Sequence, residues 1–425
     1  MKRLSPPLRY RVFLTAYAAL LALGEPLVWR YFRGRAAKDP DYGLHLEERR
    51  GKGAPFAADV WVHAVSLGEM RSAVPLIRLL LEDGLRVVTT HLTPAGRRAA
   101  EDAFPAEIAA GQLAVRYAPI DRPGYWRAFL EATRPRAALV MEMEFWPWMI
   151  EAAARAGVPL WLANAQVPSK SLPKLKRQAR IFGHPVARAA GVFAKSDRMA
   201  DRFRALGAAC VEAPGETRFD IAPPSAQLAA AGRIDWARPV VTFASVIAGE
   251  EPVFEAAART LLSGEAPPRI IWVPRAPELF DATVARLETS GLDVARRSAV
   301  FSDDLSGDTD ADILVGDSFG EMFFYMAPAS VVVVGGGFVP KGAHNVIEPL
   351  ALGKPVVVGP HVWTIEYPAV EAEAAGVLTI VESEALAGAI AAALESDDDA
   401  ARAFHAANAG ASSRIATRIK EEMVE

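Results

Sequence analysis

The sequence predicts an α/β protein with two Rossmann-like domains facing a cleft, preceded by an N-terminal hydrophobic anchor helix. Three observations predict it. Short apolar runs alternate with helical stretches along most of the chain, the signature of a βαβ series that builds a parallel sheet. The alternation comes as two series, separated by a Pro- and Ala-rich stretch from Ile221 to Pro239. A length of 425 residues exceeds one ordinary core and suits two. The expected boundaries are a membrane-associated segment over 1–40, a first domain over 41–222, a linker over 223–238 and a second domain over 239–425.

The N-terminal element stands apart in composition. From Val12 to Leu23 the chain is almost uncharged and rich in Leu and Ala, but Glu25 and Pro26 interrupt it before the roughly 20 apolar residues of a full span. Lys2, Arg3, Arg9 and Arg11 precede it, and Arg30, Arg33, Arg35 and Lys38 follow. Tyr10, Trp29 and Tyr31 sit where interfacial aromatics would. Basic flanks on both sides suit an anchor lying against anionic lipid. A signal peptide and a plain docking helix are the competing readings.

The first series then runs through DVWVHAVSLGE, RVVTTHLTP, LAVRYAPID, AALVMEME, VPLWLANAQ and GVFAKS. The second runs through RPVVTFAS, RIIWVPRAP, ADILVGD, ASVVVVGGG and PVVVGPH. Ligands of such sheets bind at the carboxyl ends of the strands, and the polar motifs fall there. After the first strand stands Glu69, at the mouth of a helix whose positive end is expected to keep the carboxylate ionised as a general base. A capping role without chemistry is the alternative. Glu142 and Glu144 are expected on one side of an extended chain, with Trp146 and Trp148 beside them as sugar-stacking or core residues. Lys170, Lys174, Lys176 and Arg177 form a basic run that fits anionic groups or a solvated helix equally.

In the second series, Val331 to Val334 reads as a strand covered on both faces, followed by Gly335, Gly336 and Gly337. Those glycines are expected to let the chain turn where side chains would block a ligand. From Ala343 the pattern suggests a helix start suited to an anion, with Asn345 and Glu348 on one helix face and Glu348 able to accept from a ribose diol. The stretch outlines a nucleotide-sugar pocket, where glycines alone would indicate only a turn.

Composition limits the alternatives. The chain is 51% hydrophobic and 23% charged, hence globular. A formal charge of −4 offers no global attraction to nucleic acid. One cysteine, Cys210, excludes an intramolecular disulfide framework and suits the cytosol. Seven scattered histidines give no zinc spacing, and the aspartates of Asp308 to Asp312 read as a solvated turn, so no metal site is expected.

Taken together, HAVSLGE, YAPID, EMEFWP, GETRFD, GEE, PRAPELF, GDSFGEM, GGGFVPKGAHNVIEP and GPH resemble the 3-deoxy-D-manno-octulosonic acid (Kdo) transferases, from about Tyr42 to Gly376. The resemblance implies the GT-B glycosyltransferase architecture, with an acceptor domain first and a CMP-binding domain second. It implies an inverting, metal-independent transferase of lipopolysaccharide core biosynthesis, without cofactor, moving Kdo or a related sugar acid from CMP-Kdo or a similar nucleotide sugar to a lipid A precursor. The implied location is the cytoplasmic side of the inner membrane. By the same resemblance Glu69 is the general base, while Pro274, Arg275, Gly320, Glu321, Met322, Asn345 and Glu348 bind CMP. Arg275 and the GEM backbone would face the phosphate, and Glu348 the ribose.

Several polar positions depart from the family pattern. Ser-Thr-His-x-Gly-Glu is Ser245-Val246-Ile247-Ala248-Gly249-Glu250 here, and Pro-Arg-His is Pro274-Arg275-Ala276. Asn-Ala-Arg becomes Asn164-Ala165-Gln166, the second glycine of Gly-Gly-His-Asn is Ala343, and Asn-Phe after GPH is Thr364-Ile365. An arginine and two histidines near an anionic donor are each worth about 1.5–3 kcal/mol as charge-assisted hydrogen bonds. The departures leave open a slow Kdo transferase, a diverged paralogue with another donor or acceptor, or a non-catalytic membrane-associated relative. A sugar-nucleotide 2-epimerase shares the architecture but needs no anchor.

Overall fold

The computed structural model describes residues 6–396 and 398–424. The chain divides into two compact units, one of residues 1–221 with 409–425, the other of residues 222–408. Lys2 and Arg3 of the expected basic flank lie outside the described residues.

The first unit carries a sheet of seven parallel strands: β1 (Val60–His63), β2 (Val87–His91), β3 (Leu113–Tyr117), β4 (Ala137–Met141), β5 (Leu160–Ala165), β6 (Gly191–Ala194) and β7 (Val211–Glu212). Their order is β3-β2-β1-β4-β5-β6-β7. The order reverses between β1 and β4, which pair from Val60↔Ala137 to His63↔Val140, so the loops leaving these strands diverge and open a crevice at their carboxyl ends. β1, β2, β4, β5 and β6 are buried throughout, which is why they read as largely apolar runs, with polar residues such as Thr89, Thr90 and His91 of β2 bonded inside the core.

The second unit repeats the plan with β8 (Val240–Val246), β9 (Arg269–Pro274), β10 (Val294–Arg296), β11 (Ile313–Val315), β12 (Ala329–Val334), β13 (Val356–Val358) and β14 (Leu378–Ile380), all parallel in the order β10-β11-β9-β8-β12-β13-β14. Val331 to Val334 is buried, as the β-branched run predicts.

Two boundaries differ from the expected ones. Residues 223–238 are part of the second unit: helix Ser225–Ala231 buries Ala230 and Ala231 in a core with Trp236, Leu314 and Phe324. The last helix, Ala411–Val424, belongs to the first unit instead of the second. Its Ile415, Ala416 and Ile419 join Leu76, Leu80 and Val60 in one core, and Asp220 accepts from the Ser412 N–H at 2.7 Å. Ile415→Ala is expected to destabilise the first unit by about 2–5 kcal/mol in urea unfolding, the cost of emptying a buried aliphatic site.

The N-terminal helix runs unbroken from Leu8 to Ala36, 29 residues, through Glu25 and Pro26. The expected interruption fails because Glu25 is matched locally. It accepts from Tyr125 Oη at 2.6 Å and Trp29 Nε1 at 3.0 Å, and it pairs with Arg122. Pro26 forfeits one backbone donor only. The helix is long and apolar enough to cross a membrane. Tyr10 is not an interfacial aromatic: it is buried, whereas Leu8, Val12, Leu20, Leu23 and Leu27 are exposed along the helix. The basic run lies on and just before helix Leu172–Phe182, which packs beside the N-terminal helix through Phe13 and Phe182, ring centroids 5.6 Å apart.

Candidate active site

Glu69 occupies the third position of helix Leu67–Glu82, directly after β1. Ser66 caps that helix, and its hydroxyl donates to Glu69 Oε1 at 3.2 Å while the Val65 N–H donates to Oε2 at 2.6 Å. Its charge state differs from the expected one. Burial, followed by the charge of Glu144, pushes its pKa up to about 8, with Glu142 adding to the rise. The hydrogen bonds at the helix start oppose this but are outweighed, because a half-enclosed carboxylate loses more hydration than two donors return.

The acids after β4 turn instead of extending, since Glu142 takes φ 59°. Burial alone would raise the Glu142 pKa, but Lys195 and Arg218 outweigh it and hold the acid below its ordinary value. Glu144 goes the other way, raised by burial, with the Trp146 bond at 2.6 Å opposing and Glu142 adding. Trp146 is half-buried and joins an aromatic cluster with His63, 5.1 Å between ring centroids, and Trp126. Trp148 is buried, its backbone N–H donating to Asp121 at 3.2 Å.

Sequence reasoning missed the ions behind these acids. Lys195, at the end of β6, is almost fully buried with Nζ 3.1 Å from Glu216 and 3.9 Å from Glu142. Arg218 reaches Glu142 at 2.9 Å and donates through Nε to Ser72 at 2.8 Å, one turn along the helix that carries Glu69. Lys195 and Glu216 gave a partial signal, as charges at the edge of apolar runs.

In the second unit the residues expected to bind the nucleotide come from strand ends that are close in the sheet order. Pro274 ends β9, and Arg275 is exposed, with its backbone N–H donating to Val246 at 2.8 Å. Gly320 turns with φ 78°, and its carbonyl accepts from Gln227 Nε2 at 2.6 Å. The Gln227 side chain also accepts the Phe324 N–H at 3.1 Å, so the segment expected to be a linker fixes the Gly320–Met322 turn. Glu321 is committed to Arg297 at 2.7 Å and Tyr325 at 3.2 Å, which leaves its backbone as the part offered to a ligand. Met322 begins the short helix that follows.

The glycine-loop expectation also changes. Side chains at Gly335 to Gly337 would meet protein and not ligand: a Cβ at Gly335 would lie 2.5 Å from the Ser245 carbonyl, and one at Gly336 2.5 Å from the Gly342 carbonyl. The loop is clamped by Glu250, fully buried, whose carboxylate accepts from Gly336 at 2.7 Å, Phe338 at 2.9 Å and Ile247 at 3.2 Å. No helix starts at Ala343. It starts at Ile347, because the Ala343 and His344 N–H groups bond back to His361 and Gly335. Asn345 therefore precedes the helix and accepts the Ile347 N–H at 3.0 Å, while Glu348 sits in its first turn, so the two do not share a helix face. His344 was missed. Its Nε2 is buried without a partner, and burial and then Arg275 lower its pKa to about 4.

Against known proteins, the family model described as 3-Deoxy-D-manno-octulosonic-acid transferase (kdotransferase) matches residues 44–221. A 3-deoxy-D-manno-octulosonic acid transferase of Bordetella pertussis is 39% identical over 422 residues, covering 93% of this chain and 96% of the relative. The chain belongs to the 3-deoxy-D-manno-octulosonic acid transferase family. It is a glycosyltransferase with the GT-B fold. A glycosyltransferase from Rickettsia africae ESF-5 superposes with a TM-score of 0.59 at 11% identity, over 87% of this chain and 100% of that one. A UDP-GlcNAc 2-epimerase from Neisseria meningitidis reaches 0.58 at 14% identity, over 85% and 99%. Those two likenesses show the fold alone, so the sequence match is what separates transferase from epimerase.

Set in the Kdo transferase family, two of the departures have local counterparts. Gln166 still bonds Glu142, and a cation at that acid is supplied by Lys195 from the neighbouring strand. Thr364 donates its hydroxyl to the Ala343 carbonyl at 2.6 Å, which ties the segment after GPH to the glycine loop.

Proposed function

We propose that this chain transfers Kdo from CMP-Kdo to a lipid A precursor, with inversion and without metal or cofactor. The observation that carries the reading is Glu69, a half-buried carboxylate held by two donors at a helix start, with a proton affinity near the working pH of a general base. A hydroxyl of the acceptor loses its proton to Glu69 while attacking the anomeric carbon, and attack opposite the departing CMP inverts that centre. Charge on the leaving phosphate is met by Arg275 and the backbone of Gly320 to Met322. Pro274 shapes the approach to Arg275, Glu348 takes the ribose, and Asn345 holds the turn that presents Glu348.

Incubation of the detergent-purified protein with CMP-Kdo and tetra-acylated lipid A precursor tests the reading by mass spectrometry of the lipid. A gain of one or more Kdo units is expected. An unchanged lipid, with CMP still bound in calorimetry, would mean a different donor or acceptor.

The proposed location is the cytoplasmic side of the inner membrane. Support comes from the exposed leucines of the N-terminal helix, the basic helix Leu172–Phe182 beside it, and a lone free thiol that suits a reducing compartment. Replacing Leu20, Leu23 and Leu27 by Ser removes about 1.5–3 kcal/mol of apolar burial each. Binding to phosphatidylglycerol vesicles in a flotation assay is expected to fall by at least about 100-fold.

A further inference from the structure

Four charged side chains gather behind Glu69, and stability does not account for them. Lys195 and Glu216 are 2% and 1% exposed and lie 3.1 Å apart. Arg218 approaches the same Glu216 oxygen at 3.5 Å, and both cations converge on Oε1 of Glu142. A buried ion cluster of this kind rarely outperforms apolar packing, so its retention points to a role in setting charge. The local backbone is also constrained: Glu142, leaving β4, takes φ 59°, a left-handed conformation that a glutamate adopts only where the surroundings enforce it, and Asn164, within the adjacent β5, takes φ 55°. Asn164 anchors the Thr217 N–H at 3.0 Å, which fixes the turn carrying Glu216 and Arg218.

The cluster is tied to the base by geometry. Arg218 Nε donates to Ser72, and Ser72 in turn donates to the Gly68 carbonyl at 2.9 Å, immediately before Glu69. The charges that face Glu69 are therefore few. Arg218 comes from the turn Thr217–Asp220, Glu142 and Glu144 from the segment after β4, and Lys195 stands behind Glu142. Asp220 in that turn is engaged by the Ser412 N–H. Helix Pro94–Ala103 brings only Gly96 against the Ser66 backbone, its Arg97 pairing with Glu48 and Glu101, its Arg98 with Asp39 and Asp41. The C-terminal helix meets the far end, where Lys420 pairs with Asp83.

We propose that Lys195 and Arg218 are positioning residues for the transfer: they hold Glu142 as an anion against Glu69, and that fixed charge keeps the base poised to take a proton. This rests on the reading of Glu69 as the base. Without the cations, burial raises the proton affinity of Glu142, and the protonated acid stops repelling charge on Glu69.

The test reads Glu69 directly, independent of turnover, by infrared titration of its protonated carboxyl band, assigned by its loss in Glu69→Gln. Wild type, Glu142→Gln, Lys195→Gln/Glu216→Gln and the triple variant are compared as full-length protein in detergent. Pairing the two buried substitutions avoids stranding either charge. The Glu69 midpoint is expected to fall by about one pH unit or more in the Glu142 variant and in the double variant, with no further fall in the triple. An unchanged midpoint in the folded double variant, or shifts that add, would overturn the proposal. Should the double variant not fold, Arg218→Gln, at a partly exposed site, carries the same expectation and the same refutation. Absence of Kdo transfer by wild type would sink the transfer reading while leaving this titration interpretable.

Discussion

Glu69→Gln is expected to lower the transfer rate by about 10²–10⁴-fold while leaving folding and CMP binding intact. Glutamine keeps an oxygen for the Val65 N–H and turns its NH2 to the Ser66 hydroxyl, which can rotate to accept, so the helix start survives, but it cannot take a proton from an acceptor hydroxyl. The loss should fall on kcat, since the group acts in the transition state and not in donor binding. Stability supplies an internal control. The folded pKa of Glu69, about 8, lies above the ordinary glutamate value of 4.5, so its contribution is fully present below the unfolded value and is lost as pH rises through the folded one. The Gln variant lacks that loss, and its thermal melting at alkaline pH should therefore exceed that of the wild type. A variant whose melting temperature matches that of the wild type at every pH would mean that Glu69 is not held protonated by its surroundings.

The second large effect is expected at Glu250, a residue with no contact to the proposed chemistry. Glu250→Ala strands the N–H groups of Gly336, Phe338 and Ile247 in a buried loop, at about 1–3 kcal/mol each, and should unfold or loosen the second unit. The other bonds to the glycine loop, such as the Gly335 N–H to the Ala244 carbonyl at 2.9 Å and the His361 N–H to the Gly337 carbonyl at 3.1 Å, leave the Gly336 and Phe338 N–H groups to Glu250. A Cβ at Gly359 would lie 2.3 Å from the Gly337 carbonyl carbon, so the two segments are in backbone contact and a shift of one moves the other. CMP affinity is expected to collapse with the loop, and Glu250→Gln, which keeps one acceptor oxygen, should lose less in both urea unfolding and calorimetry. Full CMP binding by Glu250→Ala would show that the loop is not part of the donor site.

How much of this was legible in the sequence depends on the range of the interactions involved. Strands buried on both faces, such as β4 and β12, announce themselves as apolar runs. The short β7, β10 and β14, two or three residues each and only partly buried, leave no such run and were not foreseen. Ile415 and Ile419 do not declare which core they enter, because an amphipathic stripe says that a face is buried and not against what. Ser66-Leu67-Gly68-Glu69 located the catalytic candidate through local capping rules, but its proton affinity depends first on burial and then on Glu144 and Glu142, more than 70 residues away, and so came out with the wrong sign. The glycine loop was misread for a similar reason. Sequence shows that a Cβ is absent and cannot show that the space belongs to Ser245, Gly342 and Gly359.

The dependence of kcat/KM on pH, measured for Kdo transfer by the wild-type protein, is the most direct test of Glu69 as the base. Because kcat/KM reports groups of the free enzyme, the account predicts a limb that rises with pH and is centred near 8, where Glu69 gives up its proton. A profile that is flat between about pH 6 and 9, with transfer intact, would contradict it.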